Sequence, residues 1–244
     1  MVGLGNSTLN YRTIVQPLHV ALATSILVEE LRKLDLVITV EDDFQYFENV
    51  CNALDDKILS TQFRLSQFEL SVSNVFWVRV TNKEGKIVSV QAARKELLTG
   101  ITLAEHWSQQ QRRIYVLSDP ASRAQLGNSH ALGAFIMTGV VVYHGEMWLD
   151  QSLRGTDAAM LLTRLGQITA YVRWQPDYIY GFISKKLVLR GFAARQGYFH
   201  GEPAGTHWIE APERIDPNDW LVWNSSADLA HLAKVIAEGE KSNP

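Results

Sequence analysis

Residues 133–149 read GAFIMTGVVVYHGEMWL, and residues 150–157 continue as DQSLRGTD. The first segment is apolar and rich in valine, which predicts a strand, and residues 158–174 have the apolar spacing of a helix. A glycine turn between a strand and a helix places unpaired N–H groups at the positive end of the helix dipole. The turn is therefore a candidate site for a diphosphate, and Arg154 adds positive charge beside it.

Strand and helix patterns extend on both sides of this turn. Residues 178–184 (YIYGFIS) predict the next strand, and residues 192–198 (FAARQGY) predict a short helix that ends in Gly-Tyr. Upstream, residues 75–81 and 86–92 predict an antiparallel hairpin across the turn NKEG. Further strands are predicted at residues 36–40, 114–117, 206–210 and 220–223, and further helices at residues 19–33, 43–57, 59–72, 99–112 and 227–238.

This order predicts a mixed sheet that is covered by helices on both faces. The chain has 244 residues, which is enough to bury a sizeable core. We expect residues 35–244 to form the main domain and residues 1–34 to be an N-terminal helical extension packed on it.

The composition excludes several classes of protein. Hydrophobic residues make up 46% of the chain, charged residues 20%, and the net charge is −3, as in a soluble globular protein. The chain lacks the basic excess of a nucleic-acid binder and an apolar run long enough to span a bilayer. Its one cysteine, Cys51, excludes an internal disulfide and a cysteine-based zinc site. We therefore expect a cytoplasmic protein with no metal, no nucleic-acid partner and no membrane partner.

The turn and its flanks resemble the GNAT superfamily of acyl-CoA-dependent N-acyltransferases. In that family a strand leads into an Arg/Gln-x-x-Gly-x-Gly/Ala turn whose amides bind the CoA diphosphate. Here the corresponding residues are SLRGTD; the central Arg-Gly agrees, whereas Ser152 and Asp157 depart from the pattern. Downstream, FAARQGY is similar to the family's Phe-Tyr-x-x-x-Gly-Phe ending, with Ala193 where a tyrosine usually stands.

The resemblance implies an α/β (α+β) fold with a mixed, mainly antiparallel central sheet. It also implies an enzyme that moves an acetyl or other acyl group from acetyl-CoA, or another acyl-CoA, to a small-molecule or peptide amine; a homodimer is compatible with it. The residues that it implies for binding the acyl-CoA are Met147, Trp148, Leu149, Arg154, Gly155, Thr156, Asp157, Ala158 and Lys186. Two orientations stay open for Asp157, which either faces the phosphates or caps the following helix.

Amine acylation needs a base for the ammonium and a proton donor for the leaving thiolate. The ionisable groups on the relevant strand are His144 and Glu146, and His144 falls where many family members carry glutamate. The proton donor of the family is usually a tyrosine at the position that Ala193 occupies here. Tyr198 and Tyr180 lie nearby in sequence, and Tyr198 is the candidate proton donor; water is the alternative source of the proton.

Two other interpretations remain open at this stage. The departures at Ser152, Asp157 and Ala193 are those expected of a GNAT-like protein that binds a ligand or partner without catalysis. The segments before and after the core also resemble, loosely, the acyl-homoserine-lactone and long-chain N-acyl amino acid synthases of the same fold. The sequence does not identify the acceptor, although Trp208, Trp220 and Trp223 fit an aromatic-lined pocket.

Overall fold

A computed structural model describes residues 16–117 and 122–239 of the chain. Its strands are β1 Leu36–Glu41, β2 Val75–Asn82, β3 Ile87–Leu98, β4 Gln125–Leu126, β5 Gly139–Leu149, β6 Tyr178–Ile183, β7 His200–Glu202, β8 Trp208–Glu210 and β9 Trp220–Ser225. Seven of them form one sheet in the order β1-β2-β3-β5-β6-β9-β7. Only β5 and β6 pair in parallel, and the other neighbours in this sheet are antiparallel.

Helices cover both faces of this sheet. They are α1 Pro17–Arg32, α2 Phe44–Ala53, α3 Leu103–Gln111, α4 Ala158–Trp174, α5 Lys185–Val188, α6 Phe192–Arg195 and α7 Ser226–Glu238. The helices α1, α4 and α7 share one core with the sheet face that carries Phe76 and Val142, whereas α2 packs on the opposite face against Trp77. The predicted fold class is confirmed: a mixed, mainly antiparallel sheet lies between two layers of helices.

The predicted N-terminal extension shares its packing with the main core. Helix α1 buries Val20, Ala23, Leu27 and Leu31, and this face contacts α4 and α7. Residues 1–15 of the predicted extension lie outside the described residues. Among the described residues, no helix combines the length and apolar character needed to cross a bilayer.

The parallel pair β5–β6 separates partway along its length. The two strands pair only from Val141↔Tyr178 to Tyr143↔Tyr180, after which β5 continues beside β3 and β6 continues beside β9. At the point of separation a Cβ on Gly181 would lie 2.8 Å from the His144 carbonyl oxygen, so only glycine allows this approach. The separation opens a cleft between the two strands.

A β-bulge lies on β5 at the start of this cleft. Val90 of β3 pairs with Trp148, and Ala92 pairs with Gly145, so β5 contains one extra residue here. Glu146 takes a positive φ of 60° within the bulge. A bulge redirects nearby side chains, which is why these devices recur beside active sites.

Several predicted elements were wrong. Residues 59–72 form only a short 3₁₀ turn at Thr61–Phe63, because apolar residues at 63, 65, 68 and 70 mix two spacings and match no single helical face. Residues 114–117 belong to a π-helix, Arg112–Leu117, that continues α3. Strand β8 pairs with β4 outside the central sheet, whereas residues 220–223 do join that sheet as predicted.

Candidate active site

The turn that precedes α4 presents unpaired backbone N–H groups. Gly155 takes a positive φ of 83°, and the Ala158 amide donates to Thr156 Oγ1 at 3.2 Å. Within this turn and the first turn of α4, among the described residues, the amides of Gly155, Asp157, Ala159 and Met160 have no acceptor. These donors lie at the N-terminus of a 17-residue helix, so the turn has the chemistry of an anion site.

Asp150 holds the start of this turn. Its carboxylate accepts hydrogen bonds from the Ser152 amide at 2.9 Å, the Ser152 hydroxyl at 2.7 Å and Lys86 Nζ at 2.7 Å. The lysine and serine contacts lower the pKa of Asp150 well below its usual range. Ser152, which departs from the family pattern, therefore has a structural role in shaping the turn.

Asp157 does not cap α4 with its side chain. It occupies the N-cap position, but its carboxylate makes no capping hydrogen bond and instead contacts Arg195 Nη2 at 3.3 Å. The side-chain capping alternative was wrong, because the carboxylate points toward α6. Arg195 thus offsets the negative charge that Asp157 brings to the turn, a contact that depends on tertiary structure and was not predicted from sequence.

A cavity of about 520 Å³ opens beside the turn, and we call it the turn cavity. It brings together predicted cofactor residues with Arg195, and its lining includes Met147, Trp148, Leu149, Arg154, Gly155, Thr156 and Arg195. Ala158 is adjacent in sequence, but its side chain is fully buried in the core. Lys186 lies elsewhere, beside a separate depression that Asp216 and Asn218 also line.

A second cavity of about 470 Å³ occupies the cleft between β5 and β6, and we call it the strand cavity. Its lining includes all three predicted catalytic residues, His144, Glu146 and Tyr198. Both cavities are lined by Met147, Leu187, Phe192 and Gln196, so they follow one another along the cleft. The predicted catalytic groups therefore lie beyond the turn along the parted strands.

His144 lies in a buried hydrogen-bond network. Its Nε2 is 2.9 Å from Gln91 Oε1, and its Nδ1 is 3.1 Å from the Tyr198 hydroxyl. Gln91 donates its own amide to the Leu162 carbonyl at 2.7 Å, which leaves Oε1 to accept from His144 Nε2–H. Nδ1 is therefore unprotonated and accepts the hydrogen bond that Tyr198 donates.

Burial sets the proton affinities of this pair. It lowers the pKa of His144 to about 4, so the imidazole is neutral, and it raises the pKa of Tyr198 well above its usual value. Gly166 of α4 makes the close packing possible, because a Cβ there would lie 2.6 Å from His144 Nε2. The pair presents a protonated phenol to the strand cavity.

Glu146 is held in a buried ion pair. Its carboxylate contacts Lys57 Nζ and accepts a hydrogen bond from the Ser60 amide at 3.1 Å, and its side chain is 3% exposed. Lys57 thus engages one carboxylate oxygen and the Ser60 amide engages the other, so both oxygens are held by the protein. Lys57 follows α2, nearly ninety residues before Glu146, so sequence analysis missed this partner.

A third cavity of about 110 Å³ continues from the strand cavity, and we call it the aspartate cavity. It is lined by Gln111, Tyr115, Trp208, Asp216 and Asp219, among others, and it shares Tyr143, Phe182 and Asp219 with the strand cavity. Gln111 ends α3 and Tyr115 lies on the π-helix that continues it. The π-helix thus contributes to the wall of this cavity.

Asp219 was missed by sequence analysis. Burial and the neighbouring Asp216 raise its pKa to about 6, and among the described residues it has no cationic partner within 4.0 Å. A carboxylate with a pKa near neutrality that borders two cavities is a candidate general base. The DPND loop before β9 has no spacing that indicates a site, because Asp219 reaches the cleft only through the pairing of β9 with β6.

The strand order, the parted parallel pair and the glycine turn before α4 are the arrangement that the sequence resemblance to the GNAT superfamily predicts. Among the described residues, no three His, Cys, Asp or Glu side chains are grouped so that they could hold a metal ion.

Comparison with solved structures gave several similar chains. One is a mutant of agmatine N-acetyltransferase, with 12% identity over 77% of this chain and 99% of that chain, at a TM-score of 0.46. Another is NAA60 of Arabidopsis thaliana in complex with acetyl-CoA, with 12% identity over 78% of this chain and 98% of that chain, at a TM-score of 0.43. A third is FeeM, an N-acyl amino acid synthase from uncultured soil microbes, with 10% identity over 83% of this chain and 97% of that chain, at a TM-score of 0.43. The sequence matches no protein-family model and no curated protein.

Proposed function

We propose that this protein is an acyl-CoA-dependent N-acyltransferase that transfers an acetyl or other short acyl group to an amine. The observation that carries the proposal is the succession of three cavities: an anion-binding turn, a cleft between parted strands, and a cavity with a free carboxylate. These are the three features that such a reaction needs, in the order in which a diphosphate, a thioester arm and an amine would use them.

The turn cavity fits the CoA diphosphate. The free amides around Gly155 and at the start of α4 supply backbone donors, and Arg154 and Arg195 supply positive charge. Between the parted strands, the edge of β5 at residues 144–149 that faces away from β3 is free to pair with an amide-containing arm. In this proposal acyl-CoA is a substrate that supplies the thioester.

For catalysis we assign the base to Asp219 in place of His144 and Glu146. The carboxylate of Asp219 takes the ammonium proton of the acceptor, and the amine nitrogen then forms a bond to the thioester carbon. As the carbon–sulfur bond breaks, the Tyr198 hydroxyl turns from His144 Nδ1 to the sulfur and protonates it, and the nitrogen gives its second proton to Asp219, which has passed the first to solvent. Solvent then takes this proton from Asp219 and returns one to Tyr198. His144 is a positioning residue, because it holds Tyr198 through Nδ1.

The size of the aspartate cavity favours a small acceptor. At about 110 Å³ it is smaller than the ~150 Å³ cavity that accommodates benzene. The dimensions therefore favour an amine with few heavy atoms.

Calorimetric titration with acetyl-CoA tests the cofactor assignment. We expect saturable binding that is weakened in an Arg154→Ala, Arg195→Ala double variant and unchanged in the exposed control Arg112→Ala. Absence of binding at millimolar acetyl-CoA would contradict the proposal. Binding without acceptor-dependent turnover would instead support the ligand-binding interpretation.

A further inference from the structure

Three buried side chains form a directional hydrogen-bond chain behind the aspartate cavity. Arg94 Nη2 donates to Gln62 Oε1 at 3.1 Å, and Gln62 Nε2 donates to Gln111 Oε1 at 3.1 Å. A guanidinium only donates, so it fixes Gln62 Oε1 toward itself, and Gln62 Nε2 fixes Gln111 Oε1 in turn. The orientation of both amides follows from this chemistry, and Gln111 Nε2 is the free end of the chain.

This free end is a hydrogen-bond donor at the aspartate cavity. Gln111 lines the cavity and is only 4% exposed, so its remaining surface faces that space. Among the described residues, its Nε2 has no acceptor. Gln111 Nε2 is open to the cavity, so a ligand that covers it without offering an oxygen leaves this donor without a partner, and a ligand that offers an oxygen is favoured over an apolar one.

The charge around the aspartate cavity restricts which kind of oxygen the ligand can present to Gln111. Asp216 and Asp219 line the cavity, whereas its described lining contains no lysine or arginine. The nearby Arg94 is paired with Glu96 Oε1 at 2.9 Å. A carboxylate ligand would therefore meet two carboxylates without a compensating cation, whereas a neutral oxygen would avoid this repulsion.

We infer that the amine acceptor carries an uncharged oxygen, a hydroxyl or a carboxamide carbonyl, which Gln111 recognises while Asp219 receives the amino group. This inference rests on the proposed function and names the substrate class of the same site. The small volume of the cavity places the oxygen only a few bonds from the nitrogen. Gln111 is thus a specificity-determining residue.

Matched acceptors test the inference with acetyl-CoA as donor. Ethanolamine carries a hydroxyl where propylamine carries a methyl, and glycinamide carries a carboxamide where glycine carries a carboxylate. We expect kcat/KM, calculated on the concentration of the neutral amine, to be at least about tenfold higher for ethanolamine than for propylamine, and for glycinamide than for glycine.

Two variants separate recognition from structure. Gln111→Met keeps the length of the side chain but removes the free donor, so the preference for ethanolamine over propylamine should disappear while acetyl-CoA affinity is unchanged. Gln110→Met alters a neighbouring buried glutamine that contacts Glu96 and does not line the cavity, so the preference should persist.

Each outcome bears on a distinct claim. Equal kcat/KM values within both acceptor pairs would contradict the inference alone and leave the acyltransferase proposal intact. Should Gln111→Met fail to fold, the comparison of matched acceptors on the unmodified protein still decides. Failure to bind acetyl-CoA would overturn the proposed function and the inference with it.

Discussion

His144 and Tyr198 form a buried hydrogen bond, with 3.1 Å between Nδ1 and the phenol oxygen. Gln91 fixes the imidazole from its other nitrogen, and burial keeps the imidazole neutral and the phenol protonated. The pair therefore holds its shared proton on Tyr198, whose side chain lines the strand cavity. This arrangement suits proton donation better than proton removal.

Replacing Tyr198 tests that role. We expect Tyr198→Phe to lower kcat by about 10²–10⁴-fold, the usual range for loss of a general acid, without changing the affinity for acetyl-CoA. Tyr178→Phe is the control, because Tyr178 lies on β6, packs against Trp223 and does not line the strand cavity. Steady-state kinetics check this, and an unchanged kcat in Tyr198→Phe would remove the residue from catalysis.

The neutral state of His144 predicts sensitivity to acid. Burial lowers its pKa from 6.5 to about 4, so the unfolded chain binds a proton that the folded chain does not. The stability that this provides is present above pH 6.5 and is lost as the pH falls toward 4, by up to about 3 kcal/mol. His144→Gln should lose less stability between pH 7 and 4.5 than the exposed control His231→Gln, as measured by urea unfolding; equal losses would contradict the assignment.

Asp219 predicts the opposite dependence on pH. Because its pKa is raised from 3.8 to about 6, ionisation of this carboxyl disfavours folding, and the penalty appears as the pH rises through this range. Asp219→Asn should therefore be more stable than the unmodified protein at pH 7, and this difference should shrink at pH 4. Activity has the reverse sign, because a base must be ionised: kcat/KM should rise with pH through about 6.

The pH–rate profile of Asp219→Asn checks the catalytic part of this prediction. We expect the limb near pH 6 to disappear together with most of the activity, and Glu213→Gln, an exposed neighbour in sequence, to keep both. A limb that persists in Asp219→Asn would assign the base to another group.

The Lys57–Glu146 ion pair predicts a strong coupling of stability. Lys57→Met should destabilise the fold by about 3–5 kcal/mol, because it leaves the Glu146 carboxylate buried without its cation. Adding Glu146→Gln should recover much of this loss by removing the charge. Urea unfolding of the two single variants and the double variant measures the coupling, and purely additive effects would show that the pair is not a structural unit.

Variants of the turn test the diphosphate site. Arg154→Ala should weaken acetyl-CoA binding by about 1 kcal/mol, since this arginine is exposed and backbone amides share the contact. Gly155→Val should do more harm. Space for a Cβ is open there, so the harm comes from the positive φ of 83°, which a β-branched residue adopts only with strain. Asp157→Gly should tighten binding by releasing Arg195. Unchanged affinity in all three variants would mean that the diphosphate does not bind at this turn.

The fold was predictable where its signals are local. The valine-rich segment, the Arg154-Gly155 turn and the helix after it are adjacent in sequence, so periodicity and turn chemistry identify them. The helix predicted at residues 59–72 was wrong because their apolar residues follow no single helical face, and the contact between the Ser60 amide and Glu146 was missed. No local pattern reveals a contact between segments more than eighty residues apart.

The same distinction applies to the candidate site. Met147, Trp148, Leu149, Arg154, Gly155 and Thr156 are close in sequence, and they line one cavity as predicted. Asp219, Arg195 and Gln111 come from three other segments, and only the pairing of β9 with β6 and the packing of α3 and α6 bring them to the cleft. The accessibility of His144 and Glu146 likewise depends on partners that the sequence does not indicate.

Acceptor-dependent release of free thiol from acetyl-CoA tests acyl transfer most directly. With a panel of amines that includes ethanolamine and glycinamide, we predict thiol release that requires the amine, matches N-acetylated product mole for mole, and is lost in an Asp219→Asn, Tyr198→Phe double variant. Thiol release that is absent with every amine, in a preparation that binds acetyl-CoA, would contradict catalysis and leave a protein that only binds the ligand.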